Sequence, residues 1–346
     1  MRKFFIALVI LLGVIFIIAR IAEVEAILET LQRGKWWVLT IALGVEGLWL
    51  VNVAASFQAI FKALGIKEKL SYLLVMASAA NFVNVVTPSA GMGGMAIFIS
   101  ESQRRDYSAG RATAAGALYV LYDYAGFICI LSLGLIVLFR RNNLNITEVI
   151  ASIILVTIAV IIATLLYHGT RSAESLGNAL AWIARQINKI LKPFLNREYL
   201  SEQRAHDFAR DAADGLSQLR RNPANLIMPA FLALSNKIIL IIVLYLMFLA
   251  FEVDTSIGTL IAGFSISYLF MIVSPTPSGV GFVEGALTLA LHSFFIPLGP
   301  SAVIALSYRG FTFWIPLVFG MIAFRWLGKP TPEHERLPID TTDFMN

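Results

Sequence analysis

Charge is what this sequence has least of. Only 14% of its 346 residues are Asp, Glu, Lys or Arg, whereas a soluble globular chain carries about a quarter. Cysteine is nearly absent too: Cys129 stands alone, which excludes an intrachain disulfide and any multi-cysteine metal site. There is no H-E-x-x-H, no Cys/His cluster, no phosphate-binding glycine loop before a lysine, and no G-x-S-x-G elbow. The expectation is therefore a protein with no catalytic residue, no metal and no cofactor. What the chain has instead is apolar surface: 58% of residues are hydrophobic and the mean hydropathy is +0.76. A single polytopic membrane domain fits this composition, not a pair of soluble ones.

Apolar runs cover residues 4–19, 36–60, 70–86, 111–139, 146–167, 226–251, 257–273 and 301–325. Most approach the ~20 residues that a spanning helix needs. The first follows Met1-Arg2-Lys3 and has no small-residue cleavage site behind it, so it reads as a retained signal anchor. Two shorter stretches, 95–99 and 282–296, follow breaks rich in proline and glycine: Thr87-Pro88-Ser89-Ala90-Gly91-Met92-Gly93-Gly94 and Ser274-Pro275-Thr276-Pro277-Ser278-Gly279-Val280-Gly281. Such breaks interrupt a helix by removing donors and freeing the backbone. Residues 70–100 and 257–296 thus read as hairpins, re-entrant or short full spans. With the N-terminus in the cytoplasm, 20 of the 27 Lys and Arg residues fall inside, 5 outside, and Lys237 and Arg309 within spans. The positive-inside rule then places both termini in the cytoplasm of a multi-pass inner-membrane protein. The net charge of +5 is membrane asymmetry of this kind and not a nucleic-acid footprint.

The two breaks share Thr-Pro-Ser, and the later Leu121-Tyr122-Asp123-Tyr124 parallels Ser307-Tyr308-Arg309-Gly310. Each unit reads span, hairpin, span. The fold class expected is an all-α polytopic membrane protein built as an inverted repeat, with repeat one at about 36–140 and repeat two at about 226–326. The transmembrane domain runs over 1–326 and a polar tail over 327–346. Inverted repeats are the architecture of many secondary transporters, with the site near the membrane middle.

Two hairpins entering from opposite faces bring their tips toward that middle. Helices restarting after each tip would offer free N–H groups and a positive dipole end to an anion. Gly91, Gly93, Gly94, Gly279 and Gly281 would let a phosphate approach the backbone. Five charges lie in apolar stretches: Glu46, Asp123, Lys237, Glu284 and Arg309. Each costs about 2.5–3.5 kcal/mol at a helix centre on insertion scales, so partners and a role are expected. The repeat aligns Asp123 with Arg309 and Glu46 with Lys237, which predicts those pairings. Lys237 and Arg309 are expected to meet phosphate, Tyr122 and Tyr308 to line the cavity, and Glu284 to gate or couple; His292 is a weaker candidate.

Residues 168–225 form the one substantial polar segment. Leu176, Leu180, Ile183, Ile187, Ile190 and Phe194 make an amphipathic stripe, with Arg185, Lys189 and Lys192 suited to an anionic inner leaflet. A second helix from about Ser201 to Asn222-Pro223 carries Asp207, Asp211 and Asp214 on a solvated face.

The paired breaks 87–94 and 276–285, with Ser307-Tyr308-Arg309-Gly310, resemble the lysylphosphatidylglycerol synthase transmembrane-region family. This is the flippase-like membrane domain of bacterial multiple-peptide-resistance proteins, also found standing alone. The resemblance covers about residues 36–326, and Glu284 matches the glutamate that follows the family's second break. Met95 and Ala96 stand where the first repeat often carries a charge. The resemblance implies movement of an anionic phospholipid or other lipid-linked anion between leaflets, with membrane lipids as partners. The short tail after Arg325 leads us to expect no soluble aminoacyl-transfer domain and no enzyme activity. The rival functions are a membrane-embedded enzyme modifying a lipid headgroup, and a scaffold of envelope lipid metabolism.

Overall fold

The computed structural model describes residues 25–86, 92–105, 107–195, 202–221, 223–274 and 276–327. The expected anchor at 4–19, most of the first break and the tail lie outside these residues. After a helical segment at 25–31 come α1 (Trp36–Ala63), α2 (Leu70–Val86), α3 (Met92–Arg104), α4 (Ala109–Arg140), α5 (Ile146–Arg171), α6 (Ala173–Leu195), α7 (Glu202–Arg221), α8 (Ile227–Ala250), α9 (Ile257–Val273), α10 (Phe282–Ser293), α11 (Leu298–Arg309) and α12 (Ile315–Leu327). No strand occurs among the described residues. The protein is an all-α polytopic membrane protein. Five helical stretches are long and apolar enough to cross a bilayer: Trp36–Ala63, Ala109–Arg140, Ile146–Arg171, Ala224–Ala250 and Leu298–Leu327.

Helix starts are set by local polar residues. Ser108 accepts the Arg111 N–H at 3.3 Å, and Ser256 accepts the Thr259 N–H at 3.1 Å. At α5 the Asn145 N–H donates to Glu148 Oε2 at 2.8 Å, one arm of a capping box. The final span differs from expectation. Residues 301–325 read as one helix, but α11 and α12 are joined by a π-turn, Gly310–Trp314, where Thr312 Oγ1 donates to the Tyr308 carbonyl at 2.9 Å. Such turns add a residue to a helix and commonly mark a site.

α8 is the central helix. It packs on α1, α4 and α11, and its Val243, Leu244, Met247 and Phe248 are fully buried. α5 is equally apolar but leaves Ile146, Ile153, Val160 and Ile161 more than half exposed. A helix that is apolar all round and exposed in this way faces lipid. Each hairpin's first arm lies against the last span of the other half: α2 on α12, and α9 on α4. Glycine makes both approaches possible. A Cβ at Gly320 would stand 2.5 Å from the Ser78 carbonyl oxygen, and one at Gly134 would collide with Ser265 Oγ. Gly134 follows Asp123 by 11 residues, as Gly320 follows Arg309.

The polar segment folds as expected into two helices, α6 and α7, packed on each other, with α7 against the ends of α4 and α5. Leu176 and Leu216 are buried there, while Asp207, Asp211 and Asp214 face outward.

Candidate functional site

A cavity of ≈ 330 Å³ lies between the two halves. α1 contributes Trp49, Val53 and Phe57, α2 Asn81 and Asn84, and α4 Tyr119 and Asp123. From the second half come Asn236, Ser267, Tyr268, Ser278, Tyr308, Arg309 and Thr312. The lining thus combines aromatic and apolar side chains with amides, hydroxyls and ionic groups.

Two ion pairs border this space. Lys237, wholly buried on α8, donates to Asp123 Oδ1 at 2.5 Å and to the Tyr268 hydroxyl at 2.5 Å. Tyr268 in turn donates to Asp123 Oδ2 at 2.6 Å. Three helices are joined by this closed triangle: α4, α8 and α9. In the second pair Arg309 Nε donates to Glu284 Oε1 at 2.6 Å, and an Arg309 terminal nitrogen donates to the Ser278 carbonyl at 2.9 Å. The guanidinium also lies 4.4 Å from the centroid of the Phe313 ring. Burial of an ionic group requires such a partner, because desolvation otherwise costs more than the fold supplies.

The pairing differs from the aligned one. Asp123 meets Lys237, not Arg309, and Arg309 meets Glu284, not Asp123. Glu46 does not reach Lys237: it is fully buried on α1, and neither carboxyl oxygen has a hydrogen-bond partner. Contacts are made by whichever helix faces the packing turns together, not by positions that correspond in sequence. Lys237 is accordingly no free cation at a wall, and stands behind Asp123 and Tyr268. Arg309 does line the cavity, and two of a guanidinium's five N–H donors account for its bonds to Glu284 and Ser278.

The glycine tips also part company. Gly91 lies outside the described residues, and Gly93 falls in the first turn of α3. Gly94 lines the cavity, yet its N–H donates to Asn84 Oδ1 at 2.6 Å, so an amide already occupies that donor. Gly279 and Gly281 take φ of +73° and +78°, and Ser278 takes +54°. These left-handed residues turn the chain sharply into α10 and aim the Ser278 carbonyl at Arg309. Gly281 opens onto a different, shallower hollow of ≈ 730 Å³ with Asn143, Glu148 and Phe282. Gly94 and Ser278 thus both border the cavity, while Gly281 opens onto the other hollow. Tyr122 stays out of the cavity and donates to the Leu226 carbonyl at 3.2 Å. His292 caps the end of α10 through the Ile296 carbonyl at 3.0 Å. Tyr308 lines the cavity as expected.

Asn81, Asn84 and Asn236 went unread in the sequence, where only charges were sought. An amide in an apolar run is a weaker form of the same signal. Asn236 accepts the Trp49 indole N–H and so ties α8 to α1 beside the cavity. The base of the first hairpin is fastened separately. Tyr72 donates to Glu101 at 2.7 Å, Arg105 pairs with Glu68 at 3.2 Å, and Arg104 reaches the Leu327 carbonyl at 2.8 Å. There, outside the spans, burial and then the Glu68 carboxylate push the Tyr107 phenol up to about 12.

The fold and this cavity define a class: polytopic helical membrane proteins with a polar, ion-paired cavity inside the apolar bundle. The chain belongs to the family described as the lysylphosphatidylglycerol synthase TM region, which matches residues 4–320. It is similar to a UPF0104 membrane protein of Methanothermobacter thermautotrophicus, 22% identical over 343 residues, covering 94% of this chain and 97% of the relative. A UPF0104 membrane protein of Methanocaldococcus jannaschii is 22% identical over 324 residues, covering 91% and 93%. No solved structure matches.

Proposed function

We propose that this protein is a transporter, not an enzyme, and that it moves a phospholipid or lipid-linked anion between the leaflets of the cytoplasmic membrane. The observation that carries the reading is Arg309: a buried cation on the cavity wall with donors left over for a phosphate. Trp49, Val53 and Phe57, which line the same cavity, suit the apolar part of a lipid. Reciprocal packing of α2 on α12 and α9 on α4 supports an inverted repeat, in which rocking of the halves would expose the cavity alternately. Family membership supports a lipid as the cargo.

The headgroup would take Arg309 in exchange for part of the Glu284 contact, which frees the second hairpin through Ser278. Glu284 is then a gate and not a bystander. The termini lie in the cytoplasm in this reading, from the 20 to 5 distribution of basic residues.

Purified protein in liposomes carrying fluorescent anionic phospholipids tests it. Leaflet exchange should exceed that of empty liposomes without ATP, and should fall in Arg309→Gln and Glu284→Gln variants that remain folded. A wild-type rate equal to the empty control across phospholipids, aminoacylated lipids and polyprenyl-linked anions, with and without a proton gradient, would remove the translocase reading.

A further inference from the structure

Glu46 stands apart from both ion pairs. On α1 it shares a helical face with Trp49, Val53 and Phe57, which follow at three, seven and eleven residues and line the cavity. Glu46 itself sits one turn past that lining, fully buried, with neither carboxyl oxygen hydrogen-bonded.

Among the described residues, the titratable groups on the elements packed around α1 offer it no compensating charge. Lys237 of α8 and Asp123 of α4 neutralise each other, and Arg309 is held by Glu284. Tyr119 of α4 interacts with Asn236, and Tyr72 of α2 is bonded to Glu101. Tyr308, at the end of α11, is the group that interacts electrostatically with Glu46, and it lines the cavity. A carboxylate without a partner cannot be kept ionised in such a place, and a buried acid of this kind becomes neutral by holding a proton.

We propose that Glu46 is the proton-binding site that couples this transporter to a proton gradient. The carboxyl holds its proton while the cavity is closed. When the halves part and water passes Tyr308, the O–H bond breaks, leaving a carboxylate on Glu46 and the proton on water. Reclosure requires a proton to be taken up again, from the other side of the membrane. Glu284 differs from Glu46 in that its Oε1 accepts from Arg309 Nε at 2.6 Å, so a cation stands beside it. The inference rests on the translocase reading and adds its energy source.

Infrared spectra of the purified full chain in nanodiscs test the site without any transport assay. The wild-type protein at neutral pH should show the carbonyl stretch of a protonated carboxylic acid, shifted in D2O. Glu46→Gln should remove that band and Glu284→Gln should leave it. Glu46→Asp, which keeps the acid, should show it at a displaced position if the glutamine variant proves poorly folded. A wild-type spectrum without the band, or a band unchanged in Glu46→Gln, overturns the proposal. In liposomes that do exchange lipid, a pH gradient should raise the wild-type rate, and Glu46→Gln should lose that response. A full response in Glu46→Gln overturns the coupling and leaves the translocase reading standing. No exchange by wild-type protein removes that reading, and the coupling with it.

Discussion

The two hairpins are fastened at different ends. The first, α2 and α3, is tied at its base by Tyr72–Glu101, Arg105–Glu68 and Arg104–Leu327, and its tip by a neutral contact between Asn84 and Gly94. The second, α9 and α10, is tied by charge beside the cavity, through Tyr268 in the Asp123–Lys237 triangle and through Glu284 and Ser278 on Arg309. Because ionic contacts in a low-dielectric interior answer strongly to any new charge, an anion in the cavity acts on the second hairpin and leaves the first as a frame. Met95 and Ala96, which carry no charge into the start of α3, fit that division.

Breaking the triangle should do the most damage. Lys237→Met leaves Asp123, whose side chain is only 13% exposed, without its cation, which costs about 3–5 kcal/mol. Thermal unfolding of the purified protein should show it, and Lys237→Met with Asp123→Asn should recover part of the loss. Arg309→Gln should cost less, toward the lower end of that range, because the glutamine amide can still donate a hydrogen bond where methionine offers none; the carboxylates left behind are similarly exposed, at 13% and 11%. It should also raise hydrogen exchange at 276–285 but not at 92–100. The two pairs share no hydrogen-bond partner, so Asp123→Ala and Arg309→Ala should combine additively to within about 0.5 kcal/mol. Coupling well above that would restore the aligned pairing that the structure replaces.

The turn of the second tip allows a finer test. Gly279→Ala meets both a left-handed φ and a Cβ 2.5 Å from Val283 Cγ2, whereas Gly281→Ala meets the left-handed φ in open space. The second substitution should cost about 1–2 kcal/mol and the first more, by the same melting assay. On the first hairpin Asn84→Ala removes one neutral contact and should cost about 0.5–1.5 kcal/mol, with faster exchange at the start of α3. Smallest of all, Lys35→Ala removes an ion pair to Glu252 that is largely exposed, and its effect should stay within about 1 kcal/mol.

The spans were legible because apolar length is a direct record of bilayer thickness. α2 and α9 have the bounds that the apolar runs predict, and other spans differ by a few residues at their ends. The π-turn at Gly310–Trp314 was not legible, since Phe311, Phe313 and Trp314 continue the apolar run without a proline or polar break. The charged members of the site announced themselves through their cost in hydrocarbon. Their partners did not, because pairing depends on which helix faces meet, and sequence separation carries no record of that between Asp123 and Lys237. At the tips the sequence carries the glycines but not the partners of their N–H groups: Asn84 takes that of Gly94, and Gly281 faces a different hollow.

The central claim is that lipid passes through the cavity between the halves, and plugging that cavity tests it most directly. Asn81 lines the space and is partly accessible. In a Cys129→Ser background, Asn81→Cys should exchange lipid between leaflets until a bulky thiol reagent modifies it, and should then fall to the rate of empty liposomes, while Cys129→Ser protein treated alike is unaffected. Exchange that continues undiminished after complete modification, verified by mass spectrometry, would contradict the account.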